Sequence, residues 1–183
     1  MIFNIPIFLT SLRIAAIPLV ILFFYLDMPL TTATIFGLAG LTDWADGYYA
    51  RKYNEESRFG AFLDPVADKL IVAVALILVV EREGGGDITL WITLAAIIII
   101  SREIIISALR EWMAETGQRS KVAVAYIGKV KAVTQILALI FLLYNQDLFG
   151  LPLREIGLGF LALATVLTFV SMVQYLKAAF SNQ

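Results

Sequence analysis

The stretch LWITLAAIIII, residues 90–100, contains no charged side chain. Its apolar residues run all the way round a helix instead of marking one stripe, which is too uniform for a half-exposed helix of a soluble protein. Extended to either side, the run becomes a segment over 88–108, enough for the ~20 residues that cross a bilayer. The rest of the chain has the same character. Of 183 residues 60% are hydrophobic and 16% charged, and mean hydropathy is +0.85. Soluble domains run nearer half apolar and a quarter charged. The expected fold class is therefore all-α, a polytopic membrane protein with residues 1–183 forming one domain.

Six apolar segments of this kind occur, over 7–26, 31–50, 62–80, 88–108, 124–144 and 153–176. Six transmembrane helices put both termini on one side, with the second-to-third and fourth-to-fifth connections. Twelve of the 14 basic residues fall there or at span ends facing it, leaving only Arg82 and Arg154 on the other side. Lysine and arginine mark the cytoplasmic side, so both termini and the connection after the second span are expected in the cytoplasm. EREGGGD (81–87) and YNQDLFGLP (144–152) are read as turns on the opposite side. The opening residues lack a charged n-region and a small-residue cleavage site, so no removable signal peptide is expected.

A net charge of −1 gives no reason to expect a nucleic-acid partner. There is no cysteine and no histidine. Acid–base or metal chemistry then falls mainly to carboxylates, and the metals are hard cations such as Mg²⁺ or Mn²⁺.

The carboxylates gather in LTDWADGYYARKYNEESRFGAFLDPVADK, residues 41–69. Asp43, Asp46, Gly47, Ala50 and Arg51 share one face of a helix, and Gly60, Asp64 and Asp68 share a face of the next. A short connection makes the two helices antiparallel neighbours. Charged groups resist leaving water by ~2.5–3.5 kcal/mol even on insertion scales. Crowding four of them requires protons, Arg or Lys partners, or divalent cations. The small residues Gly47, Ala50 and Gly60 leave room for a ligand. The plainer alternative is a girdle of snorkelling ion pairs at the span ends.

The spacing Asp43-x2-Asp46-Gly47-x2-Ala50-Arg51-x8-Gly60-x3-Asp64-x3-Asp68 resembles the signature of the CDP-alcohol phosphotransferases at all eight positions. NIPIFLTSLRI, GAFLDPVADKL, SREIIISALREWMAE and IGKVKA are similar to the bacterial members that use glycerol 3-phosphate. The resemblance implies a six-helix membrane fold, a homodimer, a bacterial inner-membrane location and a site for two Mg²⁺ or Mn²⁺ ions. It implies that Asp43, Asp46 and Asp64 hold metal, and that Asp68 completes the site and acts as general base. It further places Gly47, Arg51, Ser57 and Gly60 at the CDP-lipid site, with Asn4 and Thr10 near the nucleotide. The reaction implied is transfer of a phosphatidyl group from CDP-diacylglycerol to glycerol 3-phosphate, with release of CMP.

A dianionic acceptor needs cationic donors. Arg102 and Arg110 stand eight apart on the fourth segment, hence on one face, and Lys129 and Lys131 open the fifth. These four are the expected anion pocket, with Glu103 and Glu111 flanking the arginines. Arg119 and Lys121 are read instead as attracting anionic lipid. Family members commonly carry Thr and then, three residues on, Gln after GKVK; here Ala132 replaces the threonine and Gln135 remains. Trp44, Tyr48, Tyr49 and Tyr53 fit an interfacial aromatic belt, and Gly157 and Gly159 could allow close packing. Two alternatives stand: the same chemistry with phosphatidylglycerol, inositol phosphate or serine as acceptor, and a cation transporter, which predicts acidic residues deep in several spans.

Overall fold

The computed structural model describes residues 5–53, 58–116 and 126–180, with side chains placed over 8–42, 63–116 and 127–179. Six helices follow one another: α1 Ile5–Tyr25, α2 Pro29–Tyr53, α3 Arg58–Arg82, α4 Asp87–Glu115, α5 Tyr126–Tyr144 and α6 Leu153–Phe180. Among the described residues the only β pairing is an isolated bridge between Leu148 and Leu151.

The connections on one side of the bundle explain why the helices return antiparallel. After α1 the chain turns at Asp27, whose φ of 51° an aspartate tolerates better than a branched residue. Pro29 then opens α2 at the first helical position, where its missing N–H costs nothing. Between α3 and α4, Gly84, Gly85 and Gly86 take φ of 62°, 125° and 104°, so the expected glycine turn is formed. Between α5 and α6 the bridge encloses Phe149 and Gly150, both at positive φ, in a tight turn.

The helices form a closed ring. α1 packs on α2 and α3, α2 on α5, α5 on α6, α6 on α4 and α4 on α3, while α3 also reaches α5 across the middle. Val20, Phe36, Leu76, Ile99, Leu139 and Leu142 are among the buried side chains at the centre. A second cluster, Ile106, Met113, Tyr175 and Ala179, closes the gap between α4 and α6. The outward face is apolar too: Leu38, Ile77, Trp91, Ile97, Val133 and Val166 are exposed. Water would not tolerate that girdle over so much of a surface, but lipid does. At the α5–α6 contact a Cβ on Gly157 would come within 2.9 Å of Leu142 Cγ, whereas one on Gly159 would meet nothing within 4 Å. Close packing therefore accounts for the first glycine only.

Four helices carry segments long and apolar enough to cross a membrane: Phe8–Tyr25, Asp87–Glu115, Ile127–Tyr144 and Leu153–Ala179. α2 contributes a shorter apolar stretch, Pro29–Thr42. Among the described residues α3 contributes none, because Asp64, Asp68 and Lys69 interrupt its first half. The six expected segments thus correspond to six helices, of which four meet the length and apolarity of a span among the described residues.

Charged side chains sort to the two ends of the bundle. At the turn end, Arg154 pairs with Glu83 at 2.6 Å, Tyr25 donates to Glu81 at 2.7 Å, and Arg82 donates to the Leu143 carbonyl at 2.7 Å. The last of these caps the final turn of α5, where carbonyls lack helical partners. Arg82 and Arg154 are the two basic residues that the sequence set apart. The other end is polar and open.

Candidate active site

The open end holds a cavity of about 1050 Å³ lined by all six helices. This is roughly the upper end of the range for small-molecule sites, and ample for a nucleotide headgroup together with a small acceptor. Its floor is apolar, from Phe36, Ile71, Val72 and Ile136.

One wall is built by α1 and α3. Asp64 and Asp68 are one turn apart on α3, so both carboxylates face α1, where Arg13 and Thr10 are themselves one turn apart. Arg13 is 1% exposed and its Nη1 bonds Asp64 Oδ1 at 3.0 Å and also Asp68 Oδ1. Thr10 Oγ1 donates to Asp64 Oδ1 at 3.2 Å. One guanidinium thus fixes two carboxylates whose side chains remain 38% and 39% exposed. Asp68, Arg13 and Lys69 line the cavity; Lys69 turns back to the Pro65 carbonyl at 2.8 Å.

The facing wall comes from α4, α5 and α6. Arg102 is buried; its Nη1 meets Glu103 Oε1 at 3.1 Å and its Nη2 donates to Ser171 Oγ at 3.2 Å. Lys131, also buried, bonds the same Glu103 oxygen. Arg110 Nη2 donates to the Tyr175 hydroxyl at 2.7 Å. The guanidinium carbons of Arg102 and Arg110 lie 5.4 and 5.1 Å from the Tyr175 ring centroid. Both are within cation–π range, so a buried tyrosine sets the spacing of two arginines. Glu111 and Glu115 also border the cavity but are exposed. On this wall three cations, the buried Arg102 and Lys131 and the half-buried Arg110, therefore stand against the half-buried carboxylate of Glu103. Arg102 Nε and Arg110 Nε are buried donors without a hydrogen-bond acceptor.

The structure brings together Asp64, Asp68, Thr10, Arg102, Arg110 and Lys131 from the residues singled out by sequence. It does not bring Lys129 in. Lys129 is exposed and is absent from the cavity lining. Two residues before Lys131 on a helix is about 200° round the axis, so one lysine faces in and the other out. Asp43, Asp46, Gly47, Arg51 and Gly60 lie on α2 and α3, but their side chains are outside the described residues, as are those of Trp44, Tyr48, Tyr49 and Tyr53. Asn4, Ser57, Arg119 and Lys121 are outside them altogether. Arg13, Gln135 and Tyr175 are cavity residues to which the sequence reading gave no role in the site. Arg13 had one signal, a charge inside an otherwise apolar helix.

The donor chemistry suits a hard cation. Asp64 and Asp68 offer only oxygen, at the border of an open cavity, and both already gather around a positive group. Among the described residues no three acidic side chains stand together as a metal cluster. A full ligand set therefore needs carboxylates in addition to Asp64 and Asp68.

Comparison with known proteins gives this geometry a family. Residues 3–173 match the family model described as CDP-alcohol phosphatidyltransferase. A protein of Haemophilus influenzae named CDP-diacylglycerol–glycerol-3-phosphate 3-phosphatidyltransferase is 53% identical over 180 residues, covering 97% of this chain and 94% of that protein. Proteins with the same name from Pectobacterium atrosepticum and Sodalis glossinidius are 54% and 55% identical, covering 97% and 96% of this chain and 95% and 94% of theirs. The apolar helices fit an integral membrane protein of such a bacterial family. On the match over nearly its whole length, this chain belongs to the CDP-alcohol phosphatidyltransferase family.

Proposed function

We propose that the chain transfers the phosphatidyl group of CDP-diacylglycerol to sn-glycerol 3-phosphate, forming phosphatidylglycerophosphate and CMP. The observation that carries this reading is the divided cavity: Asp68 on α3, tied with Asp64 to Arg13, shares one space with Arg102, Arg110 and Lys131. The relatives named for this reaction, more than half identical over nearly their full length, support the choice of acceptor.

In this reading residues 1–183 form one catalytic domain with six transmembrane helices in the bacterial inner membrane, and it works as a homodimer. Both termini and the cavity mouth face the cytoplasm, on the strength of the basic residues gathered at that end. Asp43, Asp46, Asp64 and Asp68 would hold two Mg²⁺ or Mn²⁺ ions, whose charge would neutralise the pyrophosphate and stabilise the phosphoryl oxygens and the departing CMP. Gly47, Arg51, Ser57, Gly60, Asn4 and Thr10 surround the CDP-lipid.

The residues of the chain do the rest. Arg102, Arg110 and Lys131 receive the acceptor's phosphate, the planar guanidinium groups offering paired donors that phosphate oxygens can engage side by side. That fixes the far end of a three-carbon molecule, so its terminal hydroxyl points across the cavity to the α3 wall. Asp68 accepts the hydroxyl proton as the oxygen bonds to the phosphatidyl phosphorus. The bond between that phosphorus and the CMP oxygen breaks, and CMP leaves with the electron pair. Positioning contributes much of the acceleration, because two reactants are held in one orientation.

Purified protein in micelles of CDP-diacylglycerol with Mg²⁺ is expected to release one CMP per phosphatidylglycerophosphate formed when glycerol 3-phosphate is supplied. Serine, inositol and glycerol, which lack the phosphate, are expected to release little. CMP release with serine or inositol at the glycerol 3-phosphate rate would reject the acceptor assignment. No CMP with any alcohol would reject phosphatidyl transfer.

A further inference from the structure

Gln135 lies on α5 one turn beyond Lys131, so it shares the inward face and sits further from the cavity mouth. It lines the cavity, is 4% exposed, and its Oε1 is buried without a hydrogen-bond partner. A buried acceptor left unmade is costly. Among the described residues the only other unpartnered buried side-chain oxygen is Asn145 Oδ1, in the turn at the opposite end of the bundle.

The cavity's open valences are therefore of two kinds. Arg102 Nε and Arg110 Nε need acceptors, and Gln135 Oε1 needs a donor. A phosphate satisfies the first and not the second, because its ionised oxygens only accept. A hydroxyl elsewhere on the bound molecule supplies such a donor. Glycerol 3-phosphate carries two hydroxyls. The one that attacks phosphorus gives its proton to the α3 wall, which leaves the hydroxyl on the middle carbon.

We infer that Gln135 is a specificity-determining residue that accepts a hydrogen bond from the C2 hydroxyl of the acceptor. This rests on the phosphatidyltransferase reading above. The side chain then selects glycerol 3-phosphate from other small phosphorylated alcohols, while the arginines and Lys131 select only for the phosphate. A site built to hydrogen-bond a hydroxyl discriminates strongly against the analogue that lacks it, since its own polar group is left unpaired.

The test compares sn-glycerol 3-phosphate with 3-hydroxypropyl phosphate, which keeps the phosphate and the terminal hydroxyl but lacks the hydroxyl at C2. CMP release is measured at saturating CDP-diacylglycerol with Mg²⁺, using the full-length protein. The unaltered protein is expected to prefer glycerol 3-phosphate by about tenfold or more in kcat/KM. In Gln135→Met and Gln135→Leu that preference is expected to fall to near one. The ratio is internal to each variant, so partial loss of folded protein cancels, and the unaltered protein tests the idea by itself. Equal use of both acceptors by the unaltered protein overturns the inference. So does a preference that survives both substitutions, as it would if Gln135 held a water or a hydroxyl of the nucleotide. No turnover of either acceptor by the unaltered protein rejects the underlying reaction instead.

Discussion

Asp68→Asn is expected to lower kcat for CMP release by about a thousandfold or more, within the span that loss of a positioned proton acceptor produces. The substitution also weakens Asp68 as a metal ligand, but it disturbs the fold little. Asparagine has the same shape, and its amide oxygen can still accept the bond from Arg13 that Asp68 Oδ1 now takes. The helix stays in place, and what is lost is a negative oxygen able to take a proton. No histidine exists to substitute for it. Glu103 is occupied by Arg102 and Lys131 on the opposite wall. Thermal stabilisation of the protein by CDP-diacylglycerol is expected to persist in this variant, because Asp64 and Arg13 remain. Turnover close to the unaltered protein's would remove Asp68 from the role of base.

Arg13→Met is expected to be nearly as damaging, by a different route. Arg13 is buried and holds Asp64 and Asp68 with one nitrogen. Removing it takes from two neighbouring carboxylates the counter-charge that the protein itself supplies. For wholly buried pairs such a loss costs ~3–5 kcal/mol. Here both carboxylates are more than a third exposed, so water screens part of the repulsion and about 2 kcal/mol is expected. The catalytic loss should be larger than the stability loss, because an ångström of misplacement in a reacting group costs about a hundredfold. Arg13→Lys restores the charge but lacks the planar fork, and is expected to recover only part of the rate. Melting temperature and kcat are the two readouts. Values unchanged in both would show that the carboxylates are positioned by something other than α1.

The helices were largely legible because apolar runs of bilayer length leave few alternatives. The chief difference lies in α4, whose apolar span was expected over 88–108 and whose helix continues to Glu115. Within that extension Arg110 turns inward to the cavity, while Glu111 and Glu115 border it exposed. Within the site, the residues read correctly as sharing a face were those one or two full turns apart, Asp64 with Asp68 and Arg102 with Arg110. Lys129 stands outside the cavity lining for the converse reason. Near the start of a helix nothing in the sequence fixes which side faces inward, and two residues apart means opposite sides. Arg13 and Tyr175 were illegible as site residues because their roles come from contacts between helices distant in sequence, α1 with α3 and α4 with α6. Gln135 was noticed as a resemblance only. Its meaning emerged from a bond it does not make, which requires coordinates to see.

The central claim is that a cationic wall reads the acceptor while an acidic wall serves the CDP-lipid, inside one cavity. The most direct measurement is the pair of Michaelis constants of Arg110→Gln, each determined with the other substrate saturating. Removal of one charge-assisted contact is expected to raise KM for glycerol 3-phosphate by about tenfold or more and to leave KM for CDP-diacylglycerol unchanged. A raised KM for CDP-diacylglycerol with an unaltered KM for glycerol 3-phosphate would contradict that division.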